Sequence, residues 1–289
     1  MKLLLLLLPF GLYAQLNIAV SYPYIGALTK SIGGKNINTI VLAKGNWDPH
    51  FVIPRPSLIS KVRRADGLII NGGQLEIGWL PPLIKRAANP KTNINSKTFL
   101  NLSNYMELID KPKNISRSKG DLHPDGNPHF HLDPNNILIL ASVIKEYLSS
   151  IDSINHKIYE KNYIKFYTIW KNKIDIWNKK MLDKRGLKII QFHNNLAYFI
   201  KAYDLNNIGT IEPLPGIPPS SRHTINLIKL IKKEKPFCIF HDVYHSTKTA
   251  KYISLKTGLP IIMMPHDIGA LNSVKDLTSL FDYLTGAVQ

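Results

Sequence analysis

The stretch NNILILASVIKEYLSSIDSINHKIYEKNYIKFYTIWKNKIDIWNKKMLDKR, residues 135–185, contains neither glycine nor proline and is the longest such interval in the chain. Within it Tyr159, Tyr163, Phe166, Trp170, Ile174, Trp177 and Met181 recur every three or four residues, which makes one face of a long helix apolar. About thirty residues of helix span about 45 Å, more than one small domain requires. A helix of that length runs most naturally between two domains and packs on both. Its stripe is aromatic rather than rich in leucine and isoleucine and lasts about four heptads, which argues against a coiled coil.

On both sides of this stretch short apolar strands alternate with helical pattern. Leu16-Asn17-Ile18-Ala19-Val20 reads as a buried strand, and Pro23 after it turns the chain into a helix because proline cannot continue a central strand. Ile40-Val41-Leu42 and Gly67-Leu68-Ile69-Ile70 follow as strands. After Gly186 the alternation restarts with a strand over 187–192, a helix over 221–233, a strand over 237–240, a helix over 246–257, a strand over 261–264 and a helix over 274–284. The fold class is therefore α/β, with two lobes of mainly parallel sheet joined by one long interdomain helix. Residues 1–14 read as a leader, 15–150 as the first lobe, 151–185 as the linking helix and 186–289 as the second lobe.

With 289 residues, 44% hydrophobic and 20% charged, the chain has the make-up of a globular protein of two domains. Met1-Lys2, the run Leu3 to Leu8, Pro9-Phe10-Gly11 and Ala14 together form a charged start, an apolar core and a cleavage site, the pattern of a secretory signal peptide. That core is too short for a permanent membrane span, which takes about 20 apolar residues. The mature chain then begins near Gln15 and is expected in the periplasm. Cys238 is the sole cysteine, so no intrachain disulfide forms. A net charge of +17 raises the question of an acidic partner, but the lysines are spread along the whole length. No aromatic-interleaved basic stripe occurs, so nucleic acid is not the expected partner.

Three histidines at loop positions, far apart in sequence, are what a cavity-type metal site needs: His50 in Asp48-Pro49-His50, His129 in Asn127-Pro128-His129, and His193 in Phe192-His193-Asn194. Each flanks a strand or helix end, and ligands of open α/β sheets bind at the carboxyl ends of strands. A fourth donor is expected from Met264-Pro265-His266-Asp267-Ile268-Gly269, which offers an imidazole, His266, and a carboxylate, Asp267.

Three segments carry a resemblance: Asp48-Pro49-His50 with Pro54-Arg55-Pro56-Ser57, Gly126-Asn127-Pro128-His129-Phe130-His131-Leu132-Asp133-Pro134, and Glu212-Pro213-Leu214-Pro215-Gly216-Ile217-Pro218-Pro219-Ser220. In this order, and with the long helix, they resemble the cluster A-I metal-binding proteins of ABC transporters, the zinc and manganese uptake family. The resemblance implies a metal held between two α/β lobes by His50, His129 and His193, with a carboxylate or its replacement near the C-terminal end. At that end the family's Asp-Pro is replaced by Pro265-His266-Asp267: alignment on Gly269 selects His266, and matching the carboxylate selects Asp267, the slightly preferred choice. It further implies that Glu212 orients a ligand in the cleft, and that the partners are the metal ion and an inner-membrane permease, with a monomer delivering the ion.

Three imidazoles and one oxygen donor suit Zn²⁺, whereas Mn²⁺ favours more carboxylates. The loop from Lys111 to Gly126 holds Asp121, His123 and Asp125, which either recruit metal or stay solvated. His131, His241 and His245 read as residues behind the ligands or at the surface. A secreted zinc hydrolase would need a general base beside an open site, and no H-E-x-x-H motif occurs. A manganese-binding relative and a surface adhesin on the same scaffold are the alternatives.

Overall fold

The computed structural model describes residues 15–112 and 123–288; the leader read over residues 1–14, and Asp121, lie outside the described residues. The first half builds a parallel sheet from β1 (Leu16–Val20), β2 (Ile37–Val41), β3 (Gly67–Ile70) and β4 (Phe99–Asn101), in the order β2-β1-β3-β4. The second half repeats it with β5 (Lys188–Gln191), β6 (Asn206–Thr210), β7 (Ile239–His241) and β8 (Ile261–Met263), in the order β6-β5-β7-β8. In each sheet the chain leaves its first strand for one neighbour and returns on the other side. That reversal opens a crevice at the carboxyl ends of the strands.

The helices are α1 (Pro23–Gly33), α2 (Pro56–Arg63), α3 (Leu80–Ala87), α4 (Pro134–Ile151), α5 (His156–Met181), α6 (Ala197–Ala202), α7 (Ser221–Glu234), α8 (Lys248–Thr257) and α9 (Leu277–Gly286). Prolines open α1, α2 and α4, where a missing N–H costs nothing and the fixed φ suits the first turn. The glycine- and proline-free stretch holds two helices, α4 and α5. The break falls at Asp152, whose carboxylate accepts hydrogen bonds from Asn155 Nδ2 at 2.8 Å and from the Tyr159 hydroxyl. A short polar side chain has drawn the local donors into a 3₁₀ turn over Ser153–Asn155.

α5 touches both halves of the molecule. Asn162 Nδ2 donates to Ile32 O of α1 at 2.8 Å, and Trp177 Nε1 donates to Asp282 Oδ1 of α9 at 2.7 Å. The Trp177 and Phe281 rings lie 5.1 Å apart. One apolar cluster accordingly runs through both halves, from Ile18 and Leu68 through Tyr159 and Trp170 to Phe240 and Phe281. A smaller cluster of Ile190, Leu227, Ile239 and Ile253 sits between the second sheet and α7 and α8.

Candidate metal centre

His50 lies on the loop between β2 and α2. The hydroxyl of Tyr22 and the indole N–H of Trp79 both donate to Pro49 O, at 2.8 and 3.1 Å, and so clamp the residue before it. Asp48 Oδ1 accepts from the backbone N–H and from Nδ1 of His50, both at 2.9 Å. His129 opens a 3₁₀ turn, Phe130–Leu132, that leads into α4. Its backbone N–H donates to Asn127 Oδ1 at 3.0 Å, and Asn71 Nδ2 at the end of β3 donates to Pro128 O at 3.1 Å. His193 follows β5, and its Nδ1 is 2.5 Å from Oε2 of Glu212, which follows β6. The other oxygen of Glu212 accepts from Gly216 N at 2.9 Å within the Pro-rich turn.

These placements bring one nitrogen each of His50, His129 and His193 within 4.8 Å of one another. The ring centroids are 5.6 Å apart for His50 with either partner and 5.9 Å for His129 with His193. Because a carboxylate can only accept, Asp48 and Glu212 fix the proton of His50 and His193 on Nδ1 and leave each Nε2 with its lone pair. His129 is 2% exposed, and among the described residues neither of its ring nitrogens has a hydrogen-bond partner. A buried imidazole without partners is costly, and a metal ion offers one nitrogen the bond it lacks. Burial first, and then the neighbouring His50 and His193, hold the His129 pKa well below the usual histidine range. It is thus neutral and ready to ligate at neutral pH.

The loop contributes more than the sequence suggests. His123 Nε2 lies 3.2 Å from His50 Nε2 with the rings stacked at 5.2 Å, and burial lowers its pKa to about 3. A cavity of about 70 Å³ opens beside His123, His129 and His193. Asp125 is instead exposed beside Gln74.

The two residues read for the fourth position lie outside this trio. Asp267 is 2% exposed, and the backbone N–H groups of Ile268, at 2.6 Å, and of Tyr24, in the first turn of α1, point at its carboxylate. The partly positive start of α1 beside it favours a carboxylate, although burial raises its pKa well above the usual range. His266 is buried, its Nδ1 has no hydrogen-bond partner among the described residues, and its carbonyl accepts from His131 Nε2 at 2.8 Å. The charges of Asp242, Asp48 and His50 reach its ring, but burial dominates and lowers its pKa to about 4.

His131 is a core residue, stacked on Tyr24 at 4.2 Å, with its pKa lowered to about 3 by burial. His241 is fully buried and donates from Nδ1 to Asp242 O at 2.6 Å. His245 is partly open and bonds Asp242. Burial alone would lower its pKa, and the Asp242 carboxylate more than offsets that and raises it. Asn71, Tyr22 and Trp79 hold the ligand loops and carry no sequence signal for it. Asn127, two residues before His129, does carry one, since Asn readily bonds the backbone two positions on.

Two parallel α/β lobes with a buried imidazole cluster at their facing strand ends define a substrate-binding protein of the metal-capturing kind. The family model described as zinc-uptake complex component A, periplasmic (ZnuA), matches residues 18–285, and the chain belongs to that family. It is 27% identical over 253 residues to the metal ABC transporter substrate-binding lipoprotein SloC of Streptococcus mutans, covering 86% of this chain and 79% of the relative. The iron ABC transporter substrate-binding lipoprotein MtsA of Streptococcus pyogenes serotype M1 is 27% identical over 258 residues, with 86% and 78% covered. Among solved structures, the zinc-bound 138–173 deletion mutant of ZnuA superposes with a TM-score of 0.78 at 23% identity, covering 95% of this chain and 96% of that one. The family comprises extracytoplasmic metal-binding partners of ABC permeases, so the protein is a binding protein and not an enzyme.

Proposed function

We propose that this protein captures Zn²⁺ between its lobes, residues 15–150 and 186–289 on either side of the segment 151–185, and delivers it to an ABC permease of the inner membrane. It acts as a monomer in the periplasm, exported by a leader over residues 1–14. The observation that carries this reading is the composition of the trio: among the described residues His50, His129 and His193 meet as three imidazoles with no carboxylate among them. Such a set suits Zn²⁺ in tetrahedral geometry and is poor for Mn²⁺. Glu212 and Asp48 support it as the carboxylates that orient metal-binding histidines. For the fourth position, the free Nδ1 of His266 supports that residue over Asp267, whose carboxylate is already engaged. His123 stands beside the same space.

Competition against a chelating dye tests the reading. The mature protein is expected to bind one Zn²⁺ at least about 100-fold more tightly than Mn²⁺, and His129→Ala to lose about 100-fold or more of the zinc affinity. A preference for Mn²⁺, or zinc binding indifferent to His129, would overturn it.

A further inference from the structure

Glu76 is buried in the turn between β3 and α3, and no cation among the described residues pairs with it. Such a carboxylate is costly to keep in an interior. Its side chain folds back on the end of β3, where Oε1 accepts the backbone N–H of Asn71 at 2.7 Å and Oε2 that of Gly72 at 3.0 Å. Successive backbone N–H groups in a turn make a concavity that holds an anion. Gly72, Gly73 and Gln74 in this turn all have positive φ, at 80°, 60° and 64°. Gln74 carries a Cβ, and such a conformation persists only where its surroundings fix it.

The residue held in this way is a junction. The buried Asn71 accepts from the Tyr24 hydroxyl at 2.6 Å through Oδ1, and its Nδ2 donates to Gly72 O at 3.0 Å and, across 57 positions of chain, to Pro128 O at 3.1 Å. Pro128 precedes His129. Within the trio, His50 is oriented by Asp48 and His193 by Glu212, each through Nδ1. Among the described residues the His129 ring has no such carboxylate. Its direction is set through the backbone instead, by Asn127 Oδ1 on its own N–H and by Asn71 on the carbonyl before it.

We propose that Glu76 is a positioning residue for the metal trio: its carboxylate locks the backbone of Asn71 and Gly72, and the Asn71 amide so fixed holds the Pro128 carbonyl and aims the His129 ring at the ion. This deepens the zinc-capture reading and rests on it. The third imidazole thereby has a carboxylate behind it, one residue removed. The backbone of Glu76 serves the other ligand loop of the same lobe, since its carbonyl accepts the N–H groups of Trp79 and Leu80, at 3.1 and 2.9 Å, and the Trp79 indole clamps Pro49 before His50.

Zinc affinity by chelator competition, together with the visible absorption of the Co²⁺-loaded protein, tests this in wild type, Glu76→Gln, Asn71→Ala and the double variant. Glu76→Gln keeps the shape of the side chain but turns an amide donor toward one of the two N–H groups. It is expected to weaken zinc binding by about 10-fold and to alter the Co²⁺ bands, which follow ligand geometry and not the stability of the fold. The double variant should bind zinc no more weakly than Asn71→Ala alone, because Glu76 acts through Asn71. Glu76→Asp, with its carboxylate one methylene short of the two N–H groups, is expected to show the same losses and serves in the cycle should Glu76→Gln not fold. Losses that multiply in the double variant, or Glu76 variants with wild-type affinity and spectrum, would overturn the positioning role and leave zinc capture standing. A wild-type protein that takes up no Zn²⁺ would overturn both.

Discussion

At the scale of single residues the fold holds unusual numbers of neutral imidazoles in its interior, and this shapes its response to acid. An unfolded chain protonates histidine below about pH 6.5, whereas burial lowers His131 to about 3 and His266 to about 4. Between these values the unfolded chain binds more protons, so the metal-free fold loses stability as pH falls, by about 1.4 kcal/mol per pH unit for each imidazole. Glu76 acts in the opposite sense: burial lifts its carboxyl to about 7, so its contribution is present below about 4.5 and is lost as pH rises through 7. Urea unfolding of the metal-free protein between pH 6.5 and 5 should therefore show a shallower slope in His131→Phe than in wild type, by about one proton's worth; equal slopes would contradict the burial account. That His50, His129 and His193 come together was legible because each stands in a Pro- or Asn-marked loop beside a strand. The closeness of Asp267 to the start of α1 was not, because Tyr24 lies more than 200 positions away in the chain.

At the scale of elements, the loops that carry the histidines are held across the lobes as well as within them. Asn127 Nδ2 donates to Asn194 O at 2.8 Å, Asn194 Nδ2 to Asp110 Oδ2 at 3.0 Å, and the Tyr198 hydroxyl to Asn127 O at 2.8 Å. Asp110, Asn127 and Asn194 line the cavity beside His129 and His193. On the other side, Gly45 in the His50 loop packs so closely on the loop after β8 that a Cβ there would run into the Ile268 carbonyl. Gly45→Ala should force these loops apart, cost about 1–3 kcal/mol in chemical unfolding and weaken zinc binding; unchanged stability and affinity would contradict the contact. The apolar strands were legible from their runs of Val, Ile and Leu. β4, three residues long, and β6, with Asn206, Asn207 and Gly209, escaped because neither has the apolar alternation that marks a strand. The 3₁₀ turn at Ser153–Asn155 is not announced by any glycine or proline.

At the scale of the whole molecule, the repeated strand order aims two sets of strand ends at one crevice, and the continuous apolar cluster with α5 ties the halves together. The alternation of strands and helices made both lobes readable, whereas their mutual arrangement depends on contacts such as Trp177 with Phe281 that no local pattern encodes. The central claim is that imidazoles from both lobes meet on one ion. X-ray absorption at the zinc edge on the one-to-one complex tests it most directly. At least three imidazole nitrogens at about 2.0–2.1 Å from the zinc are expected; carboxylate and water oxygens without imidazole scattering would rule the shared site out.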